Sequence, residues 1–167
     1  MEISVQVEPA GGAPAPVEYR WDADTSILTA HLADPGSGAG MSGSVELAGN
    51  DGSWLIIDVS GGRVRGVEIA VWPDVRKQPV LRPPAEIEAA RLTLPTRKSQ
   101  PAVAVLQMDT ALVAEANKDE STFHFKLGGH RPARTVRIAR DLLVDLDEHD
   151  VLAGLWFLNV PPFPATA

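Results

Sequence analysis

The sequence predicts an all-β protein, and three observations carry that prediction. Apolar and polar residues alternate over short stretches. Glycine and proline, 14 of each in 167 residues, interrupt the chain often. One strand-rich pattern occurs twice in the same order. Alternation with a period of two marks a strand with one buried face, and frequent Gly and Pro between such stretches favour short strands over long helices. With 44% hydrophobic and 22% charged residues, the chain has the composition of a globular protein able to bury a core.

Taken in order, Ile3, Val5 and Val7 alternate with polar neighbours and form the first expected strand. Val17, Tyr19 and Trp21 alternate with Glu18 and Arg20 in the second. In the third, Leu28, Ala30 and Leu32 face inward, with Thr29 and His31 outward. Val45-Glu-Leu47, then Leu55, Ile57 and Val59, then Val67 and Ile69 continue the series. A proline-rich connector over residues 77–90 follows, and Pro79, Pro83 and Pro84 make it stiff. Within it, residues 84–91 read as a short helix with proline in the first turn.

The second half repeats the first. Asp24–Leu32 lies over Asp119–Leu127 without a gap, Val45–Leu47 over Val136–Ile138, and Leu55–Val59 over Leu142–Leu146. Gly66 meets Gly154 and Pro73 meets Pro161, the offset moving from 95 to 91 to 87 to 88 in stretches that loops can absorb. The same face is apolar in both: Phe123, Phe125 and Leu127 answer Leu28, Ala30 and Leu32, while Leu155 and Phe157 answer Val67 and Ile69. Arg91–Pro95 echoes the first strand. Leu112, Ala114 and Ala116 echo the second, where the repeat overrules the helix propensity of Ala and Glu. The expected architecture is two diverged antiparallel repeats, residues 1–76 and 91–167 joined by 77–90, packed face to face as one sandwich or flattened barrel, with at most one or two short helices.

The unit resembles a small bacterial family catalogued as domain of unknown function 2283, whose pattern is aromatic-Asp, a turn, Leu opening a strand, and later Asp-x-Asp, a turn and Gly-Ile-Glu-Ile. Trp21-Asp22 and Leu28 fit its opening, and Asp58 with Gly66-Val-Glu-Ile69 its close. Asp145-Leu-Asp147 and Gly154-Leu-Trp-Phe157 keep the closing spacing in the second half. Ser60 stands in place of the second Asp, Asp150 in place of the turn glycine, and Trp156 in place of the glutamate. The resemblance implies a β fold and carries no activity, cofactor or site residue.

The composition narrows function by exclusion. A net charge of −7 repels phosphate backbones. The run Arg131, Arg134, Arg137, Arg140 is followed by Asp141, Asp145, Asp147, Glu148 and Asp150, which makes it a solvated surface and not a nucleic-acid patch. Without cysteine, thiolate catalysis, disulfides and Cys-ligated metals are excluded. No stretch approaches the roughly 20 apolar residues of a membrane span, and no leader pattern opens the chain, so a cytoplasmic protein is expected. Gly38-Ala-Gly-Met-Ser-Gly43 spells a dinucleotide fingerprint, but a strand and not a helix is expected to follow, which removes the phosphate-holding helix N-terminus.

Few side chains remain that could carry chemistry. Asp145, Asp147 and Asp150 are weak candidates for a hard cation, but the spacing fails the EF-hand pattern. Of His31, His124, His130 and His149, none pairs at i, i+4. Asp58 and Asp145 occupy matching places and would form a carboxylate pair if the halves met about a twofold axis. With His31 and His124, they are the weak candidates for a catalytic or ligand site at the junction of the halves. Trp156 stands where the first half has Glu68, and Phe157, Pro162 and Phe163 follow. Aromatics out of pattern mark interfaces. The expectation is therefore a non-enzymatic interaction or structural module, without cofactor, that self-associates as a dimer through Trp156, Phe157, Pro162 and Phe163. A small hydrolase or a ligand- or metal-binding protein is the alternative.

Overall fold

The computed structural model describes residues 3–33, 38–95, 103–129 and 131–164, with 103–108 described by their backbone alone. The strands are β1 (Gln6–Pro9), β2 (Val17–Trp21), β3 (Leu28–Leu32), β4 (Ser42–Gly49), β5 (Trp54–Ser60), β6 (Arg63–Val71), β7 (Val75–Lys77), β8 (Glu88–Thr93), β9 (Val103–Thr110), β10 (Leu112–Ala116), β11 (Phe123–Leu127), β12 (Arg134–Ala139), β13 (Leu142–Leu146) and β14 (Leu152–Phe157). They form a six-stranded sheet in the order β2-β3-β6-β5-β4-β9 and an eight-stranded sheet in the order β1-β8-β12-β13-β14-β11-β10-β7. Neither sheet closes on itself, so of the two expected architectures the sandwich is the one formed. No described residue is helical, and none belongs to a helix long and apolar enough to cross a membrane.

The alternation explains the packing. Leu28, Ala30, Leu55, Ile57, Val67 and Ile69 from the six-stranded sheet are at most 3% exposed, as are Phe123, Phe125, Leu142, Val144, Leu155 and Phe157 from the other. Together they build one continuous core between the sheets. Each Leu, Ile or Phe taken out of water there contributes roughly 1.5–3 kcal/mol before the entropy of ordering is subtracted.

The two sheets share an order of hairpins: β2-β3-β6-β5-β4 in one, β10-β11-β14-β13-β12 in the other. Each is extended by a parallel strand, β9 beside β4 and β8 beside β12. The register ladders agree as well. Across one sheet His31, Gly66, Asp58 and Ser44 stand opposite one another in turn. Across the other the same rung holds Lys126, Gly154, Asp145 and Thr135. A bulge follows the aspartate in both, at Asp58/Val59 and at Asp145/Leu146.

Residues 84–91, expected as a helix, are not one. Residues 84–87 are irregular, and Glu88–Thr93 is β8, held antiparallel to β1 and parallel to β12. Strand pairing on both sides outweighs a weak local helix preference. Strand β9 was not anticipated, although its Val-Ala-Val-Leu run has the right residue types. The glycine-rich stretch does lead into a strand, β4. It serves as a tight contact: a Cβ on Gly40 would lie 2.6 Å from Gly62 Cα.

Candidate functional site

On the outward face of the eight-stranded sheet, three side chains converge on one buried carboxylate. Asp145 is 2% exposed although it faces away from the core, since its neighbours Val144 and Leu146 are the ones that point inward. The Thr135 hydroxyl donates to its Oδ1 at 2.6 Å and the Trp156 indole N–H to the same oxygen at 3.1 Å. His124 Nε2 lies 2.6 Å from Oδ2, which assigns the imidazole proton to that nitrogen. The register places them. Thr135 and Asp145 are cross-strand partners, and Trp156 is the partner of both His124 and Leu143. The indole stacks on the imidazole with ring centres 3.8 Å apart and planes 10° from parallel. Gly154 beside Asp145 leaves the room required, because a Cβ there would lie 2.6 Å from Asp145 Oδ2.

This cluster contains two of the sequence candidates, His124 and Asp145. An imidazole oriented by a carboxylate is half of a nucleophile-activating triad. The third member is lacking: Thr135 gives its proton to the carboxylate, and no hydroxyl among the described residues is hydrogen-bonded to the other imidazole nitrogen. The arrangement satisfies buried polar groups and seals an outer sheet face.

The remaining candidates are dispersed. Asp58 and His31 are exposed on the other sheet, flanking Gly66 on one rung. Asp58 and Asp145 therefore lie on the outward faces of different sheets with the core between them, and the expected carboxylate pair does not form. Asp147 caps its own turn, accepting from the His149 and Val151 backbone N–H groups at 2.8 and 3.0 Å. Asp150 pairs with Arg134 at 2.8 Å. The three acids thus point to separate tasks, and the described residues hold no cluster of metal-ligating groups. His130 lies outside the described residues. His149 is exposed beside Glu148.

The aromatic residues expected at an interface divide. Trp156 is 5% exposed and Phe157 fully buried, so the chain itself covers both, Trp156 through His124 and Phe157 through the core. Pro162 and Phe163 are exposed, and Phe163 borders a groove that sequence reasoning missed. Trp21 and Trp72 stack there with centroids 5.6 Å apart, and Phe163 meets Trp21 edge-on at 5.2 Å. The Trp21 indole N–H donates to the Pro161 carbonyl at 2.8 Å, and that of Trp72 to the Ser26 carbonyl at 2.7 Å. Beside these rings is an open groove of about 220 Å³, floored by Phe123 and rimmed by Val75 and Glu120. Its signal in the sequence was the pair Trp21 and Trp72, each at one end of a strand, but their meeting depends on β2 and β6 flanking β3.

No protein-family model matches the chain, and no curated protein matches it either.

Proposed function

We propose that the chain is a non-enzymatic interaction module, built on a duplicated β unit, that self-associates through the groove at Trp21 and Trp72. Supporting duplication are the shared hairpin order and the matching rungs of the two sheets. The observation that carries the contact is the seat of the chain's own Pro161–Pro164 segment. An indole N–H grips a prolyl carbonyl and an aromatic ring packs edge-on against the same indole, the chemistry by which aromatic grooves take up proline-rich segments. The same segment from a second copy brings the same groups, so exchanging it between copies costs few contacts. The exchange point is Pro161, because Val160 is 3% exposed and its N–H is held by the Ser121 carbonyl.

Light scattering from micromolar to millimolar concentration tests this. The full chain gives a concentration-dependent dimer. A chain ending at Val160, with an unchanged far-ultraviolet circular dichroism spectrum, stays monomeric. A full chain that is monomeric throughout removes the proposal.

A further inference from the structure

Most basic side chains of this acidic protein stand in solvent. Among the described residues, Arg63 and Arg137 are the Lys or Arg side chains that are not exposed, and both line one groove of about 190 Å³ where the two sheets meet. Among the described residues neither has a carboxylate partner there, and no Asp or Glu lines the groove. Arg91 joins them from β8. Two of the three guanidiniums are positioned: Arg63 donates to the Leu92 carbonyl at 3.2 Å and the Thr93 hydroxyl at 2.7 Å, and Arg137 donates to the Arg140 carbonyl. Two half-buried positive charges without a counter-charge among the described residues are costly, and the exposed Arg91 beside them adds mutual repulsion.

The opposite wall is the connector between β1 and β2. It is tied down at both ends, by Ala10 N–H to the Ala89 carbonyl at 3.2 Å and by Arg140 N–H to the Ala15 carbonyl at 2.7 Å. Between these ties the Gly11, Gly12 and Ala13 backbone N–H groups have no backbone acceptor among the described residues. Gly12 has φ +80°, and a Cβ added at Gly11 or Gly12 would meet nothing within 4 Å. The glycines thus serve backbone shape and open access, not packing.

We infer that this groove is an anion site whose ligand is a phosphoryl group, carried by inorganic phosphate or a small phosphomonoester, held between Arg63, Arg91 and Arg137 and the Gly11-Gly12 connector. A phosphate dianion offsets the stranded positive charge and accepts from guanidinium forks on different sides. A monocarboxylate presents a single planar edge. The groove size suits a head group, and Leu32 and Ile138 at its wall suit the organic part of a monoester.

Calorimetric titration of the full chain at constant ionic strength, with inorganic phosphate in one arm and glycerol phosphate in the other, provides the test. Saturable binding is expected, weakened about tenfold or more in Arg91→Gln. The ligand-free melting temperature of that variant does not fall, since the Arg91 side chain makes no hydrogen bond among the described residues and its removal relieves repulsion. Arg20→Gln, which removes a guanidinium paired with Glu18 on the surface, binds as the parent does. Tighter glycerol phosphate identifies the monoester as the ligand, and equal affinities identify the phosphoryl group alone. Absence of saturable binding in both arms, full affinity in Arg91→Gln, or an equal loss in Arg20→Gln overturns the inference. The C-terminal segment takes no part, so these results are independent of self-association.

Discussion

Asp145 collects the Thr135 hydroxyl, the Trp156 indole N–H and the His124 imidazole on two oxygens, and its removal leaves those groups buried without their acceptor. Asp145→Ala is expected to destabilise the fold by about 3 kcal/mol in urea titrations, whereas Trp156→Phe, which loses one bond and keeps most of the stacking area, costs about 1 kcal/mol. Tyr19 makes a second case at this scale. Its hydroxyl donates to the Asp141 carbonyl at 2.5 Å, joining the two sheets, and burial, aided by the Asp141 charge, lifts the phenol well above its ordinary value of 10.0. A group whose folded pKa is raised stabilises below its unfolded pKa and loses that contribution as pH climbs past it. The parent therefore loses stability above pH 10 more steeply than Tyr19→Phe does. At neutral pH the variant is weaker by about 1 kcal/mol. Denaturant titrations at pH 7 and above pH 10 check both parts.

At the scale of the element, the period of two placed nearly every strand and its inward face. His124 was correctly assigned to the outward face, yet it is 8% exposed, because a tryptophan one strand away covers it. Trp156 was visible as an anomaly where the first half has Glu68, but whether an out-of-pattern aromatic covers a neighbour or awaits a partner depends on what stands across the rung. The glycines at the bulges follow the same logic. A Cβ on Gly154 would also lie 2.8 Å from the Phe125 carbonyl, so neither backbone nor buried carboxylate can yield cheaply. Gly154→Ala is expected to cost about 2–3 kcal/mol. Gly129→Ala, with nothing within 4 Å of the added carbon, stays within about 0.5 kcal/mol. Thermal unfolding of the two variants side by side separates them.

At the scale of the molecule, the strands do not respect the division of the chain into halves. β9 follows the connector yet lies on the first half's sheet along eight paired residues. β1 and β7 precede the connector yet edge the other sheet, on β8 and β10. Each sheet is thus completed by chain from the opposite half, over a shared core. A single cooperative transition follows, seen alike by tryptophan fluorescence and circular dichroism, and a fragment of residues 1–76 is expected to remain unfolded. Two separate transitions, or a folded fragment, would contradict this interlocking.

Local pattern was enough for the fold class and most of the inward residues, because side-chain alternation is a property of each strand alone and survives in the order of residues. It was not enough for the strand formed where a helix was expected at 84–91, the crossing of β1, β7 and β9 to the other half's sheet, the meeting of Trp21 with Trp72, or the convergence of Arg63, Arg91 and Arg137. Those outcomes depend on which strands become neighbours, a choice made by burial and hydrogen bonding between segments far apart in the chain. No spacing within one segment encodes it.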